Sequence, residues 1–478
     1  MDTLNYEVLA KSGYNGYILK NAPEKVLQFG EGNFLRAFVD YWFDLANEKA
    51  DWNGKCVLVQ PIAPGLAKMI NEQEGLYTLY LRGSENGRKV DDKRVISSVS
   101  RCLNPYEEEG FKQMMDVAAS DDLEIIVSNT TEAGIVYDPA CKLEDVPASS
   151  FPGKLTQVLY HRYKAGKKGI IMLACELIDN NGKELLKCVN QYIDQWGLDD
   201  GFRKYVNEDC TFCGSLVDRI VPAATPETLQ EIADQLGVYD PCAIACEPFR
   251  QWVIEDNFVN GRPDWDKVGA QFVADVVPFE MMKLRMLNGS HSFLAYLGYL
   301  GGYETIADTM TNPAYRKAAF ALMMQEQAPT LSMPEGTDLN AYATLLIERF
   351  SNPSLRHRTW QIAMDGSQKL PQRLLDPVRL HLQNGGSWRH LALGVAGWMR
   401  YTQGVDEQGN AIDVVDPMMA EFQKINAQYQ GADRVKALLG LSGIFADDLP
   451  QNADFVGAVT AAYQQLCERG ARECVAAL

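Results

Sequence analysis

Three side chains that could move a proton and hold an oxygen atom lie close together in residues 278–291, Pro-Phe-Glu-Met-Met-Lys-Leu-Arg-Met-Leu-Asn-Gly-Ser-His. The long apolar side chains of this stretch favour a helix that begins near Pro278. At roughly 100° per residue, Lys283, Asn288 and His291 share an arc of about 140° on that helix. A buried Lys can act as a general acid or base, while Asn and His can stabilise a carbonyl oxygen. An amphipathic helix with polar side chains on its solvent face is the alternative interpretation.

Two neighbouring residues extend this hypothesis. Glu280 precedes Lys283 by three residues, about one helical turn, and could relay its proton; a solvent-facing Glu is the alternative. Gly289 interrupts the helical pattern, where glycine is unfavourable by roughly 1 kcal/mol relative to Ala. We therefore predict that backbone or ligand approaches Gly289 closely.

A glycine turn near the start of the chain indicates nucleotide binding. The apolar run at residues 25–29 leads into Gly30-Glu-Gly-Asn-Phe-Leu-Arg36, and a helical pattern follows to about Lys49. This strand, turn and helix resemble the opening of a Rossmann unit, in which backbone amides hold a pyrophosphate. Leu35 replaces the third glycine, so the motif alone is weak. The candidate cofactor-binding residues of this turn are Gly30, Gly32, Asn33, Phe34 and Arg36.

Alternating strands and helices continue this pattern to about residue 215. A second strand, residues 55–60, ends at Gln60, where an acidic residue usually binds the ribose of NAD, so NAD and NADP both remain open. Further strands are predicted at residues 123–127 and 169–175, with a helix at about 155–164 between them. Residues 76–82 and 95–99 are predicted to form a hairpin-like insertion. From Asp218 onward we predict largely helical structure.

The longer context of the Lys-Asn-His stretch identifies a family. Lys-x4-Asn-x2-His, preceded by Glu247-Pro-Phe-Arg-Gln-Trp-Val-Ile-Glu-Asp256 and followed by Ser292-Phe-Leu-Ala-Tyr-Leu-Gly298, resembles the mannitol dehydrogenase family of polyol dehydrogenases and uronate reductases. The resemblance implies that Lys283 is the general acid/base and that Asn288 and His291 position the substrate oxygen. It also implies a nicotinamide cofactor and no catalytic metal.

Other segments carry the same resemblance. Ser128-Asn-Thr-Thr-Glu-Ala-Gly134 contains Thr131 and Glu132, which the family places beside the nicotinamide; by itself such a segment caps a turn. Leu216-Val-Asp-Arg-Ile-Val-Pro222 resembles a motif whose Asp, here Asp218, lines the active site. Leu177 stands where the family often has Asn, which leaves more of the oxygen binding to Asn288 and His291.

Basic residues of the second half could bind a substrate carboxylate. Arg356-His-Arg358 and Asp365-Gly-Ser-Gln-Lys369 resemble the substrate-facing region of the family, which makes Arg358 and Lys369 candidates. A solvated basic stretch on an acidic protein is the alternative. Tyr160-x3-Lys164 matches the proton-transfer pair of short-chain dehydrogenases, but the segment is typical of a charged surface helix.

The composition restricts the class of protein. The net charge of −18 over 478 residues argues against nucleic acid or an anionic membrane as partner. The first residues have no basic and apolar signal regions, and no long apolar run predicts a membrane span. Eleven cysteines without zinc-site spacing indicate buried, reduced thiols in a cytoplasmic protein.

The sequence thus predicts a Rossmann-like α/β domain, residues 1–215, and a mostly helical substrate domain, residues 216–478, with the active site between them. The family resemblance implies an NAD-dependent oxidoreductase, and we expect it to be monomeric or a small homo-oligomer and to reduce D-fructuronate to D-mannonate. D-tagaturonate, mannitol or another polyol, and nucleotide binding without turnover are the alternatives.

A change of character near residues 210–222 suggests a recombinant origin. Residues 1–217 contain 17 Lys and 7 Arg, whereas residues 218–478 contain 6 Lys and 15 Arg. The first part most resembles the tagaturonate reductases of the family and the second part its fructuronate reductases. A chimera joined in this region is one hypothesis, and ordinary divergence is the other.

Overall fold

The computed structural model describes residues 1–131 and 133–478, which divide into two compact units, here called the N-terminal unit, Met1–Val277, and the C-terminal unit, Pro278–Leu478. The predicted boundary at residue 215 lies inside the N-terminal unit. The predicted onset of mostly helical structure at about residue 278 coincides with the division between the units.

The N-terminal unit contains twelve strands among its described residues. They are β1 Glu24–Phe29, β2 Lys55–Val59, β3 Tyr77–Glu85, β4 Arg88–Ile96, β5 Val99–Leu103, β6 Ile125–Ser128, β7 Ile171–Ala174, β8 Thr211–Cys213, β9 Ser215–Asp218, β10 Ile244–Cys246, β11 Gln251–Glu255 and β12 Gln271–Val273. Its helices are Tyr6–Lys11, Asn33–Ala37, Val39–Lys49, Ala67–Glu72, Glu108–Ala118, Phe151–Lys164, Asn181–Gln195, Asp200–Lys204 and Pro226–Leu236, with a π-helical turn Tyr205–Asp209 and a 3-10 turn Trp265–Val268.

Six of these strands form a parallel sheet in the order β5-β2-β1-β6-β7-β8. Most residues of its strands are apolar and buried, as expected where helices cover both sides of a parallel sheet. The chain reverses its direction of growth between β1 and β6, which makes the carboxyl ends of these strands the topological switch point. The predicted Rossmann-like fold is therefore confirmed.

The predicted hairpin is present, but the predicted bounds of its strands are wrong. β3 and β4 pair antiparallel from Tyr77↔Ile96 to Glu85↔Arg88, so that Asn86 and Gly87 make the turn. Both turn residues have positive φ, as a tight hairpin of this kind requires. Val99, predicted to lie in the second arm, instead begins β5 of the main sheet.

The prediction of largely helical structure from Asp218 onward is wrong for residues 219–277. This part contains β10, β11 and β12 and a single described α-helix, Pro226–Leu236. β9 pairs antiparallel with β11, and β11 pairs parallel with β12. These strands are buried by tertiary packing and are too short to show a long periodic pattern in the sequence. The N-cap of the helix is confirmed, since Thr225 Oγ1 accepts a hydrogen bond from the Thr228 amide.

Apart from two isolated β-bridges, the regular secondary structure described for the C-terminal unit is helical. Its α-helices are Val277–Met282 (which starts one residue before the division), Gly289–Leu300, Ile306–Met310, Pro313–Ala321, Leu339–Phe350, Thr359–Ala363, Gly366–Leu370, Asp376–Asn384, Arg389–Tyr401, Met419–Gln428, Gly431–Leu439, Ser442–Phe445, Ala453–Arg469 and Ala471–Ala476. π-helical turns are Lys283–Asn288, Leu322–Gln327 and Pro371–Leu375, and 3-10 turns are Ala328–Thr330, Pro353–Leu355 and Leu449–Gln451. The apolar helix Gly289–Leu300 is buried almost entirely at the centre of this unit.

In the described part of the chain, no helix combines the length and the apolar character that crossing a membrane requires. The eleven cysteines are free thiols, and all but Cys467 are buried.

Candidate active site

The glycine turn of the N-terminal unit lies at the switch point of the sheet. Gly30 follows β1 with φ of +123°, and a Cβ added there would stand 2.7 Å from the Asn129 carbonyl oxygen, which follows β6. Glycine is therefore required at this position by both backbone conformation and packing. The Leu35 side chain, which replaces the third glycine of the motif, also packs against Gly30.

The second glycine has a different environment. An added Cβ at Gly32 would meet no heavy atom within 4 Å among the described residues, so packing within the protein does not demand glycine there. Open space above a backbone turn at the end of β1 is what a closely approaching dinucleotide requires. The turn therefore fits the predicted cofactor.

Arg36 holds this turn in shape. Its buried guanidinium donates to the Glu31 carbonyl at 2.8 Å, to the Cys242 carbonyl at 2.7 Å and to Asn33 Oδ1 at 2.9 Å. The Phe34 ring stacks on that of Phe38, with centroids 5.3 Å apart. Through these contacts, Arg36 and Asn33 stabilise the conformation of the turn.

Gln60 likewise supports a loop. It is 3% exposed, its Oε1 accepts from the Ala67 amide at 2.9 Å, and its Nε2 donates to the Ala63 carbonyl at 3.1 Å. Both ends of the side chain thus fix the loop that follows β2.

Glu176 organises the loop that follows β6, a role that the sequence analysis missed. This buried carboxylate, which follows β7, accepts from Ser128 Oγ at 3.0 Å and from the Thr130 amide and hydroxyl at 3.1 and 3.0 Å. Burial raises the pKa of Glu176, whereas these hydrogen bonds lower it. Thr131, next in the chain, is exposed with φ of +70°. Glu132 lies outside the described residues.

Two other residues of this unit were singled out from the sequence. Asp218 ends β9, pairs with Gln251 of β11 and is 2% exposed. Lys164 lies in the last turn of the helix Phe151–Lys164, which runs antiparallel to the strands and therefore ends at the edge of the sheet opposite the glycine turn. Its ammonium group contacts the Tyr160 ring, so this pair has a structural role.

In the C-terminal unit, the Lys-Asn-His stretch is not one regular α-helix. Residues Lys283–Asn288 form a π-helical turn between two α-helices, closed by a hydrogen bond from the Gly289 amide to the Leu284 carbonyl. The hydrogen bonds of a π-turn join residues i and i+5, so Lys283 and Asn288 lie closer to the same face of the helix than they would in an α-helix. π-turns inside α-helices are frequent at functional sites.

The side chains of this stretch are largely buried. Lys283 is 9% exposed, His291 is 6% exposed, and Asn288 is half-buried. Glu280 is also 9% exposed, so the alternative of a solvent-facing Glu is wrong.

Gly289 shows the predicted close approach. An added Cβ would stand 2.5 Å from Gln327 Nε2 and 3.1 Å from the Arg373 carbonyl oxygen, atoms of the other two π-helical turns. Gln327 Nε2 itself donates to that carbonyl at 3.0 Å. The Arg373 guanidinium donates in turn to Ser292 Oγ at 3.2 Å and to the Asn288 carbonyl at 3.4 Å. The three π-helical turns of this unit therefore pack against one another around Gly289.

His291 is held as a neutral imidazole. Burial is the main cause that lowers the pKa of His291 well below its usual value. Electrostatic interactions lower this pKa further, and the largest of them is with His357, followed by Arg373, Arg349 and Lys283. Its Nε2 is buried and has no hydrogen-bond partner among the residues described. A neutral ring with a free nitrogen can bind the oxygen of a carbonyl or hydroxyl group.

The predicted carboxylate-binding residues differ in their placement. Burial lowers the pKa of His357 to about 4, with a further contribution from the charge of Lys369, which places Lys369 near His357. Arg358 is exposed and pairs its backbone with Thr305 in extended conformation.

The sequence of this protein matches two sequence profiles of one family. The Mannitol dehydrogenase Rossmann domain profile matches residues 24–267, and the Mannitol dehydrogenase C-terminal domain profile matches residues 275–467. Together they confirm the family resemblance and the fold class predicted from the sequence.

Individual relatives agree with these matches. The chain is 65% identical over 474 residues to D-mannonate oxidoreductase of Escherichia coli, covering 95% of each chain. It is 36% identical to an altronate oxidoreductase of Phocaeicola vulgatus, covering 99% of each. The ternary complex of Pseudomonas fluorescens mannitol 2-dehydrogenase with NAD and D-mannitol superimposes with a TM-score of 0.84 at 28% identity, covering 99% of this chain and 98% of that one. The first alignment spans residues 210–222 with a single relative, so it lends no support to a recombinant origin.

Proposed function

Because the chain belongs to the mannitol dehydrogenase family, we propose that it is an NAD-dependent oxidoreductase that interconverts D-fructuronate and D-mannonate. The observation that carries this proposal is the buried π-helical turn with Lys283, Asn288 and a neutral His291, acted on by several positive charges. An anionic keto-uronate suits such a cationic surrounding better than an uncharged polyol does.

NAD supplies the hydride acceptor in oxidation, and NADH supplies the hydride in reduction. In the reducing direction, Lys283 donates a proton to the oxygen of the ketone as that oxygen gains negative charge. The Asn288 amide and His291 hold the same oxygen and stabilise the charge that develops in the transition state. In the oxidising direction, Lys283 accepts the hydroxyl proton, and Glu280 relays it.

The remaining residues bind or position the reactants. Lys369 pairs with the substrate carboxylate, with Arg358 as a less favoured partner because of its exposure. Asp218 hydrogen-bonds the substrate. The turn Gly30–Asn33 and Thr131 contact the cofactor, and Glu132 belongs to the same predicted set. The buried free thiols are compatible with a cytoplasmic protein.

D-tagaturonate is the alternative substrate, favoured by the identity to altronate oxidoreductases. The test measures the decrease in NADH absorbance with D-fructuronate and D-tagaturonate side by side, with D-fructose as the uncharged control. We expect the highest kcat/KM with D-fructuronate. A preference for D-tagaturonate would overturn the substrate assignment, and binding of NADH without turnover of any ketose would overturn the proposed reaction.

A further inference from the structure

The end of β2 lacks the acidic residue that selects NAD in most Rossmann domains. Gln60 occupies that position, and both ends of its side chain are engaged by the following loop, at the Ala67 amide and the Ala63 carbonyl. Because the Gln60 amide already forms hydrogen bonds with the protein backbone, it is poorly placed to bind the two ribose hydroxyls.

The carboxylate of Glu31, from a different part of the sequence, contacts the same loop. Glu31 lies inside the glycine turn after β1, and its Oε1 accepts from the Leu66 amide at 3.3 Å. An added Cβ at Gly65 would stand 2.6 Å from Glu31 Oε1 and 2.4 Å from Gln60 Cδ. Glu31 and Gln60 therefore converge on Gly65, although they are 29 positions apart in sequence. The closeness follows from the pairing of β1 with β2, since the Gly30 amide donates to the Val59 carbonyl at 3.0 Å.

We propose that Glu31 takes the place of the missing acidic residue, binding the adenosine ribose hydroxyls of NAD and rejecting the 2′-phosphate of NADP. The carboxylate lies between the turn that fits the pyrophosphate and the carboxyl end of β2, where the ribose of a Rossmann ligand belongs. It is 8% exposed, and charge repulsion is stronger in such a poorly solvated place than in water. This inference rests on the cofactor part of the proposed function and not on the substrate.

The basic residues closest in sequence offset this charge only in part. Burial raises the pKa of the Glu31 carboxyl and the charge of Arg36 lowers it, but the Arg36 guanidinium donates to backbone carbonyls and to Asn33 rather than to this carboxylate. Lys68 has a side chain that is 91% exposed and pairs with Glu72 at 3.8 Å. A 2′-phosphate would therefore meet the Glu31 carboxylate with little compensation from these two residues.

The test measures dissociation constants of NADH and NADPH by nucleotide fluorescence, without any substrate. We expect the wild-type protein to bind NADH at least about tenfold more tightly than NADPH. Glu31→Gln keeps an oxygen that can accept from the Leu66 amide but removes the charge, so NADPH should bind about tenfold more tightly and the preference should largely disappear. Glu31→Asp keeps the charge and should retain most of the preference.

Glu24→Gln is the matched control. Glu24 lies at the opposite end of β1, where it pairs with Arg101, and its loss of charge should leave the ratio of the two constants unchanged. Equal affinity of the wild type for both nucleotides, or an unchanged ratio in both Glu31 variants, would overturn the inference. If NADH is preferred through Glu31 but no keto-uronate is reduced, the substrate and reaction proposed above fail while this inference stands.

Discussion

The imidazole of His291 meets that of His357 edge to face, with 5.2 Å between the ring centroids and planes at 89°. The Phe350 ring packs on His291 at 4.8 Å. Two adjacent imidazoles with basic residues around them cannot readily both be charged, and burial opposes either charge. Both rings are consequently neutral near pH 7, the state in which His291 can bind a substrate oxygen.

These two histidines should make the stability of the protein depend on pH. The pKa of each is lower in the folded protein than in the unfolded chain, where it is about 6.5. Their contribution is therefore fully present above about pH 6.5 and is lost as the pH falls, for His357 down to its pKa of about 4. The unfolding free energy should fall by up to about 1.4 kcal/mol per pH unit for each ring. Urea unfolding at several pH values measures this slope, and His357→Gln should reduce it.

Replacing Lys283 by Ala should abolish turnover and spare cofactor binding. General acid/base groups typically contribute about 10²- to 10⁴-fold to the rate. We expect a loss of kcat of this size, with the dissociation constant of NADH changed less than about threefold. Lys317→Ala on an exposed position of the same unit serves as control and should retain full activity. Comparable kcat in the Lys283 variant would exclude the proposed proton transfer.

Gly289→Ala should destabilise the C-terminal unit although Ala favours helices. Its Cβ would meet Gln327 and the Arg373 carbonyl, and overpacking of this kind typically costs about 1–3 kcal/mol. Gly457→Ala is the matched control, because that helical glycine has no described atom within 4 Å of an added Cβ. The control should be stabilised by about 0.4–1 kcal/mol. Thermal unfolding compares the two variants, and equal shifts would mean that the three π-helical turns are not tightly packed.

Glu176→Ala should weaken cofactor binding through the loop after β6. The change leaves Ser128 and Thr130 without their acceptor, and hydrogen bonds to a charged group are worth about 1.5–3 kcal/mol each in stability. We expect NADH affinity to fall about tenfold or more, whereas Glu176→Gln, which retains an acceptor oxygen, should lose less. Titration of each variant with NADH tests this, and wild-type affinity in Glu176→Ala would show that the loop does not contribute.

The sequence by itself determined the family, through the resemblance of its longer motifs. It also determined the Rossmann-like sheet and the stretch from Lys283 to His291, because strand–turn–helix patterns and closely spaced polar residues are local properties of the chain. It also located the tight place at Gly289, since a glycine within a helical pattern is locally unfavourable.

Only the tertiary structure decided which distant residues meet. The π-helical turn, the edge-to-face contact of His291 with His357, the exposure of Arg358 and the convergence of Glu31 on Gly65 depend on packing between segments far apart in sequence. The short strands of residues 219–277 were missed for the same reason. Their stability comes from pairing and burial against β9 and β3, which a local pattern does not record.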